Sequence, residues 1–285
     1  MQCCVCKNEM QVGLEPWHWQ CNVCRYEATS FEPAINQKIM HTKINEIERE
    51  DGLKELREQN FRILIELINQ HLPSGGKRRL LDVGAAHGWF VKMAMTQFDA
   101  VGIEPDKGVC RKTKESGVPI IEGYFPEVLN KNDRFDVIVF NDVFEHLSDV
   151  SGILRACKDH LTNTGILVIN LPSNEGFFYK LSKFFKRAGF SSFFERMWQK
   201  GLPSPHLHYF NTGNIISLVE QHSFRQVNVN SLPAIHIKGL YNRIKFTGQK
   251  NNLLVFLIWI AVVIAMPFIT MFKSDNTVVL FKIDS

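Results

Sequence analysis

The chain has 285 residues and a formal net charge of +4, and 45% of its residues are hydrophobic and 22% charged. This length and composition allow one full-sized core with a small additional module, and they exclude a disordered tail. Because acids and bases are mixed along most of the chain, the mild positive charge does not indicate a nucleic-acid-binding protein.

Cysteines cluster at the N-terminus, where five of the seven lie between Cys3 and Cys24. The opening MQCCVCKNEM lacks the features of a secretory signal, so we expect a cytosolic location, where thiols stay reduced. Two C-x-x-C pairs predict a four-thiolate zinc site: Cys3, Cys6, Cys21 and Cys24. Four protein ligands leave no position for substrate, so residues 1–30 are predicted to be a structural zinc ribbon. Cys4 and His18 are alternative ligands, and unligated core cysteines are the other interpretation.

A helical linker is predicted over residues 31–76. Within it, LKELREQNFRILIELINQHL repeats apolar residues at intervals of three and four, which is typical of an amphipathic helix. The sequence Pro-Ser-Gly-Gly at 73–76 is predicted to end it.

Beyond the linker, apolar runs alternate with helical stretches. The runs are RLLDV, DAVGI, VPII, FDVIVF and GILVIN. This alternation predicts βαβ units and a parallel sheet, and hence an α/β domain over residues 77–285. Ligands of such sheets bind at the carboxyl ends of the strands.

The stretch LLDVGAAHGWF places a small-residue turn after the first of these runs. Gly84 permits a sharp turn, Ala86 keeps a bulky side chain away, and Gly88 lets the next helix begin close to the sheet. Glu104 ends the next run, and its position after Gly84 is one at which an acid can bind ribose hydroxyls. Asp82 could serve a ligand with a positive amino group. A nicotinamide dinucleotide is less well matched, because the full G-x-G-x-x-G is missing.

Several motifs together resemble one enzyme family. DVGAAxGxF, GIEPD, FDVIVFNDVFEHL, GILVINLPS and HLHYFNTGNIISLVEQHSF follow one another over roughly residues 78–230. Their order is similar to that of class I S-adenosylmethionine-dependent methyltransferases, in the methyltransferase-23-like or ubiquinone-methyltransferase-like branch. The resemblance implies a Rossmann-like, seven-stranded methyltransferase sheet, here with an N-terminal zinc ribbon and a C-terminal hydrophobic, membrane-associated insertion.

The resemblance also implies a binding site for S-adenosylmethionine. Its expected residues are Asp82, Gly84, Ala86 and Gly88 around the methionyl part, Glu104 at the ribose, Glu122 and Gly123 at the adenine edge, and Asn141 and Asp142 beside the sulfonium and acceptor. Two positions depart from the family pattern. Ala86 replaces the usual middle glycine, and Ser223 stands where a glycine commonly precedes Phe224.

Transfer to a hydroxyl requires a base near the carboxyl edge of the sheet. The candidates are His146 in DVFEHL and His206 and His208 in PSPHLHYF. In addition, Asp142, Glu145 and His146 look like the divalent-cation site of ubiquinone-pathway O-methyltransferases, although the Glu-His pair could instead cap and pack the following helix.

The expected acceptor lid spans residues 173–210. Within it, residues 177–200 carry six Lys or Arg, one acid and nine aromatic residues. This pattern fits a helix at a membrane interface, with bases toward anionic headgroups. A lid that packs its aromatic residues inward is the alternative.

A long uncharged stretch follows, from Leu253 to Phe272. As a helix it would be about 30 Å long, the thickness of a bilayer core. However, NTVVLFKI at Asn276–Ile283 is predicted to be the last strand of the sheet, beside Arg225–Asn230, and a membrane span would separate it from its neighbours. We therefore expect residues 236–275 to form an insertion on one side of the membrane; a true span and a buried helix are the alternatives.

These features predict a methyltransferase that modifies a hydroxyl or carbon of a lipid or lipid-linked glycan at the inner, cytoplasmic face of the membrane. No nucleic acid is expected, and the sequence does not identify a protein partner for the ribbon. Two alternatives are a soluble methyltransferase of a nucleotide-linked sugar or small molecule, and a non-enzymatic zinc-ribbon scaffold with an inactive methyltransferase fold.

Overall fold

The computed structural model describes residues 1–36, 46–73, 75–237, 239–246 and 251–284. The strands, in chain order, are β1 (Gln11–Val12), β2 (His18–Gln20), β3 (Glu27–Thr29), β4 (Arg78–Val83), β5 (Phe98–Glu104), β6 (Ile120–Glu122), β7 (Phe135–Asn141), β8 (Leu161–Pro172), β9 (His208–Tyr209), β10 (Phe224–Asn230) and β11 (Asn276–Ile283). The helices are α1 (Glu46–His71), α2 (Trp89–Ala94), α3 (Lys107–Glu115), α4 (Val150–His160), α5 (Phe177–Arg187), α6 (Ser192–Met197), α7 (Thr212–Glu220), α8 (Leu240–Phe246) and α9 (Asn252–Ile269).

A seven-stranded mixed sheet organises the chain, in the order β10-β11-β8-β7-β4-β5-β6. The pairs among β4 to β8 are parallel, whereas β11 runs antiparallel between β8 and β10. The α/β fold and parallel strands predicted from the alternating runs are therefore confirmed, as is the Rossmann-like, seven-stranded sheet that the resemblance implies. The strand expected at Asn276–Ile283 is present and pairs with β10 as predicted.

Both faces of the central part of the sheet are covered, which explains why its inner strands contain continuous apolar runs. Neighbours in β4 point to opposite faces: Leu80 packs in the cluster that includes residues of α1 and α2, and Leu81 in the cluster that includes residues of α4 and α7. In α1, Phe61, Leu64 and Ile68 recur at helical spacing and are buried on the first of these faces. Residues 37–45 of the predicted linker lie outside the described residues.

A smaller sheet joins the N-terminal cysteine region to a short strand after α6, with strand order β1-β2-β3-β9. Its first three strands come from the N-terminal cysteine region, and β9 comes from the segment after helices α5 and α6. Tyr26 of the N-terminal region packs in the same core cluster as Phe210 and Leu218 of the α/β domain. The N-terminal module therefore shares its core with that domain.

Candidate active site

The polar residues expected at the cofactor site lie at one edge of the large sheet, where the parallel strands end. Glu104 at the end of β5 is in register with Glu122 of β6, and Asn141 of β7 with Asn170 of β8. Asp82 lies near the end of β4, between these pairs. The topology thus brings residues that are far apart in the chain to one edge, the usual position for a ligand of an open α/β sheet.

The turn after β4 is shaped by close approach of its backbone to neighbours. Gly84 and Gly88 have φ of +74° and +68°. A β-carbon on Gly84 would lie 2.6 Å from the Val143 side chain, and one on Gly88 would lie 2.7 Å from that of Thr113. Each position therefore requires glycine for two reasons: a left-handed backbone and lack of space.

Both departures from the family pattern fall at left-handed positions. Ala86 has φ of +46° and Ser223 has φ of +61°. A side chain in this region costs roughly 1 kcal/mol, so these are positions that glycine would occupy with less strain. At Ala86 the conformation also aims the backbone N–H at Glu104.

Glu104 is buried and fixed by backbone donors. Its Oε2 accepts the N–H of Ala86 at 2.9 Å, and its Oε1 accepts the N–H of Asp106 at 2.8 Å. Burial raises the pKa of this carboxyl, and the two backbone donors partly offset the effect. A carboxylate oxygen can accept more than one hydrogen bond, so both oxygens retain capacity for the two hydroxyls of a ribose.

Asp82 is almost fully buried beside Glu104. Burial raises its pKa well above the ordinary range, and the charge of Glu104 raises it further. Two buried acids side by side disfavour ionisation unless a cation lies nearby. The pair is thus suited to a ligand that brings positive charge.

Asn170 contributes to the site and is missing from the residues identified in the sequence. Its side-chain amide donates to Oδ1 of Asn141 at 2.7 Å and to Oδ1 of Asp142 at 3.2 Å. Its own Oδ1 is buried without a hydrogen-bond partner among the described residues. One feature of the sequence could have identified Asn170 as a site residue: it is the polar residue in the otherwise apolar run GILVINL.

At the predicted adenine edge, Glu122 is exposed and Gly123 has φ of +135°. A β-carbon on Gly123 would lie 2.3 Å from the side chain of Val128. This glycine is therefore required where the backbone turns out of the sheet.

A second cluster lies just beyond β7, in the short 3₁₀ turn Phe144–His146. Oε1 of the buried Glu145 is 3.8 Å from Nε2 of His146 and 3.9 Å from Nε2 of His206. Neither oxygen of Glu145 has a hydrogen-bond partner among the described residues. The donor atoms brought together are thus those of Glu145, His146 and His206, whereas the sequence pattern groups Asp142 with the first two.

The protonation states in this cluster follow from burial. Burial, and then the charge of Asp142, raises the pKa of Glu145 well above its usual range. Burial lowers the pKa of His146 and, more strongly, that of His206. Nδ1 of His146 lies 2.8 Å from the carbonyl oxygen of Pro205, so Nδ1 carries the proton and Nε2 keeps its lone pair.

His208 occupies a different environment from the other two candidate bases. Its Nδ1 is hydrogen-bonded to the hydroxyl of Tyr26, and its Nε2 donates to the carbonyl oxygen of Leu147 at 2.7 Å. Because both ring nitrogens have partners, His208 links the N-terminal module to the 3₁₀ turn.

The stability of the protein is expected to depend on His208 as the pH falls. Burial lowers its pKa from 6.5 to about 4. Between about pH 6.5 and pH 4 the unfolded chain therefore binds a proton that the folded chain excludes. The contribution of neutral His208 to the free energy of unfolding is complete above about pH 6.5 and is lost as the pH falls toward 4. The difference is worth about 3 kcal/mol. In His208→Gln, this decrease in the free energy of unfolding should be absent. Denaturant titration from pH 7 to 4 measures it.

The variant is compared with wild type at each pH, because protonation of the buried acids changes the free energy of unfolding in the opposite direction. His222→Gln is the matched control, since His222 is half-buried and bonds only within its own helix end. A wild-type slope in the His208 variant would contradict the assignment.

The four predicted zinc ligands also come together. The sulfur atoms of Cys3 and Cys24 are 3.5 Å apart, and those of Cys6 and Cys21 are 3.4 Å apart. All four lie within 4.8 Å of one another, close to the edge of about 3.8 Å expected for a four-sulfur zinc tetrahedron. The group includes neither Cys4 nor His18. The donor set is therefore compatible with zinc.

The sheet order and the strand-end site define a class I S-adenosylmethionine-dependent methyltransferase. A family model described as a methyltransferase domain matches residues 56–229, and the chain belongs to that family. Over 99 residues the chain is 29% identical to the ubiquinone biosynthesis O-methyltransferase of Azorhizobium caulinodans. That match covers 32% of this chain and 39% of the relative, so it spans about two fifths of the relative's length.

Solved structures share the fold at low sequence identity. A methyltransferase from Archaeoglobus fulgidus has a TM-score of 0.55 and 16% identity, covering 84% of this chain and 99% of that one. A cyclopropane synthase of Mycobacterium tuberculosis has a TM-score of 0.51 and 14% identity, covering 78% and 83%. These similarities support the fold, while the family match supports methyl transfer.

The residues present fit the cofactor. S-adenosylmethionine supplies the activated methyl group together with a ribose diol and a positive charge. Glu104 offers acceptors for the diol, the buried Asp82 offers an anion for positive charge, and the glycine turn keeps side chains out of the cradle. The individual contacts of these residues remain predictions.

Proposed function

We propose that this methyltransferase modifies a hydroxyl or carbon of a lipid or lipid-linked glycan while associated with the cytoplasmic face of a membrane. The observation that carries this proposal is α9, an exposed apolar helix attached to the catalytic domain at both ends.

The surface of α9 is unlike that of a helix in a soluble domain. Among the described residues it is the one helix long and apolar enough to cross a membrane. Its Ile264 and Phe268 are 74% and 70% exposed, and Val255 is its one buried residue. A contiguous apolar surface of this kind indicates contact with a membrane or a partner, and it argues against a buried core helix.

The attachments of α9 favour a helix that lies along the membrane. Before it, α8 packs against α1, and a groove of about 420 Å³ between α8 and α9 is lined by residues including Tyr241 and Trp259. After it, the ring of Phe272 lies 5.0 Å from that of Phe177, and Asp275 accepts the N–H of Phe178 at 2.8 Å. Then β11 enters the sheet. Because both ends meet the same domain, this arrangement supports one-sided association over a span.

The basic residues of α5 support headgroup binding less than the sequence predicts. Lys183 and Lys186 form ion pairs with Glu27 and Glu15 of the N-terminal module. Phe184 is 64% exposed and flanks the exposed Arg187, so part of the helix can still meet an anionic interface.

The chemistry proposed at the acceptor is removal of a hydroxyl proton by His146. With the proton on Nδ1, its Nε2 keeps a lone pair, and its side chain is 15% exposed. By its name, the relative from Azorhizobium caulinodans is an O-methyltransferase, which supports a hydroxyl acceptor. The predicted divalent cation stays a second hypothesis for Glu145 and His146, with His206 replacing Asp142 as the neighbouring donor.

Membrane association can be measured by sedimentation with vesicles of phosphatidylcholine and phosphatidylglycerol. Wild-type protein should co-sediment, and Ile264→Glu/Phe268→Glu should bind at least about 100-fold more weakly, because each apolar side chain contributes about 1.5–3 kcal/mol when buried. Both positions are exposed, so the substitutions should leave the fold intact.

Val12→Glu is the matched control, since Val12 is 56% exposed and lies in the N-terminal module. Wild-type protein could instead fail to co-sediment with vesicles and form a dimer that the α9 substitutions disrupt. That result would support the soluble alternative, in which the enzyme acts on a nucleotide-linked sugar.

A further inference from the structure

The N-terminal module is hydrogen-bonded to the segment that carries the candidate base cluster. Strand β3, which follows shortly after Cys24, pairs with β9. The backbone N–H of Thr29 donates to the carbonyl of Leu207 at 3.0 Å, and its hydroxyl donates to the carbonyl of His206 at 3.1 Å. The position of this segment therefore depends on the position of β3.

A buried carboxylate ties β3 to the first lid helix. Glu27 is 3% exposed. It accepts hydrogen bonds from the hydroxyl of Tyr179 at 2.7 Å and from Nζ of Lys183 at 2.9 Å, and it pairs with Nε2 of His18 at 2.7 Å. Burial alone would raise the pKa of Glu27, but the His18 hydrogen bond and the Lys183 charge outweigh it and lower the pKa. A buried charge with three partners holds its elements in one arrangement.

The second cysteine pair is itself bonded to the catalytic domain. The carbonyl of Cys24 accepts the side-chain amide of Asn211 at 3.3 Å, and that of Arg25 accepts the amide of Asn174 at 2.7 Å. Asn174 follows β8 at the start of the lid. The peptide groups of the predicted ligand Cys24 and of Arg25 thus bond to residues at both ends of the expected lid segment.

Aromatic packing completes the contact. Trp17 stacks on Phe194 of α6 with ring centres 5.7 Å apart and meets Trp198 edge-on at 6.1 Å. Phe194 and Trp198 are fully buried. The N-terminal module thus provides the inner wall against which the lid packs.

We propose that a metal ion of zinc type, held by Cys3, Cys6, Cys21 and Cys24, acts as a clamp that positions the acceptor lid, and that the cofactor half of the site forms without it. Residues 1–30 are too few to bury a stable core alone, and their buried side chains pack in the core cluster of the α/β domain. Metal binding would supply the further free energy that orders them. Glu104, in contrast, is fixed by Ala86 and Asp106, which belong to the sheet's own turns. The inference uses the proposed function only in taking residues 173–210 as the acceptor lid.

Hydrogen exchange followed by mass spectrometry tests the clamp without knowledge of the acceptor. Full-length protein should contain one zinc per chain. After metal removal by a chelator, exchange should rise about tenfold or more in α5, α6 and residues 204–210, and Zn²⁺ alone should reverse the change. Strands β4 and β5 should stay protected, and the Kd for S-adenosylmethionine should change less than about threefold.

Glu27→Gln separates the clamp from the metal site. This variant should keep one zinc per chain yet show faster exchange in α5, whereas Glu15→Gln, which affects the partly exposed pair with Lys186, should resemble wild type. Absence of bound zinc, a lid indifferent to metal removal, or loss of protection throughout the sheet would each overturn the proposal. None of these results depends on membrane binding, so failure of the lipid-acceptor proposal is recognised separately by the vesicle experiment.

Discussion

Glu104→Ala is expected to weaken the binding of S-adenosylmethionine by at least about 100-fold, because hydrogen bonds to a charged group contribute about 1.5–3 kcal/mol each. The substitution also removes the acceptor that fixes the N–H groups of Ala86 and Asp106, so the turn that forms the cradle loses its anchor. Calorimetric titration with S-adenosylmethionine and, separately, S-adenosylhomocysteine measures the effect.

Two further variants make that experiment specific. Glu104→Gln keeps one acceptor and should bind with an intermediate affinity. Asp99→Asn changes an exposed acid at the other end of β5 and should bind as wild type does. If folded Glu104→Ala bound either ligand within about threefold of wild type, the ribose assignment would be lost.

The adjacent buried acids offer a reason for cofactor selectivity. Burial raises the pKa of both Asp82 and Glu104, and the charge of Glu104 raises that of Asp82 further. A ligand with positive charge relieves this repulsion, and a ligand with an anionic pyrophosphate increases it. The same residues that fit S-adenosylmethionine therefore disfavour a nicotinamide dinucleotide.

The sheet could be predicted from the sequence because its signals are local. The runs at residues 137–140 and 166–169 are apolar on both faces, which identifies buried parallel strands, and small residues occupy the turn after β4. Even the departures at Ala86 and Ser223 are informative, since both positions have the left-handed backbone that glycine favours.

The contacts between the N-terminal module and residues 173–210 could not be predicted, because they join residues far apart in the chain. Glu27 and Tyr209 are paired although one lies near the N-terminus and the other follows α6, and no periodicity links them. The sequence assigns the bases of α5 to headgroups because charge patterns do not reveal a distant carboxylate such as Glu15. For the same reason, the approach of His206 to Glu145 has no signal in the sequence.

His146→Gln is expected to reduce kcat by about 10²-fold to 10⁴-fold, the usual contribution of a general base. Burial lowers the pKa of His146, so the imidazole is neutral at neutral pH, and the carbonyl of Pro205 fixes the proton on Nδ1. Activity of the wild type should therefore be full above the lowered pKa and fall as the pH decreases through it. Transfer of labelled methyl groups from S-adenosylmethionine to a membrane lipid extract measures the rate.

A catalytic role of His146 is distinguished from a structural role by measuring the Kd for S-adenosylmethionine and the pH profile of the variant. The Kd for S-adenosylmethionine should change little in His146→Gln, because the two acids assigned to the cofactor, Asp82 and Glu104, lie on β4 and β5. The acidic limb of the pH profile should disappear with the base. His222→Gln should keep both the rate and the limb, since His222 is bonded to Leu218 within its own helix end. A His146 variant with more than about a third of the wild-type kcat would exclude Nε2 as the base and favour an acceptor that needs no proton removed.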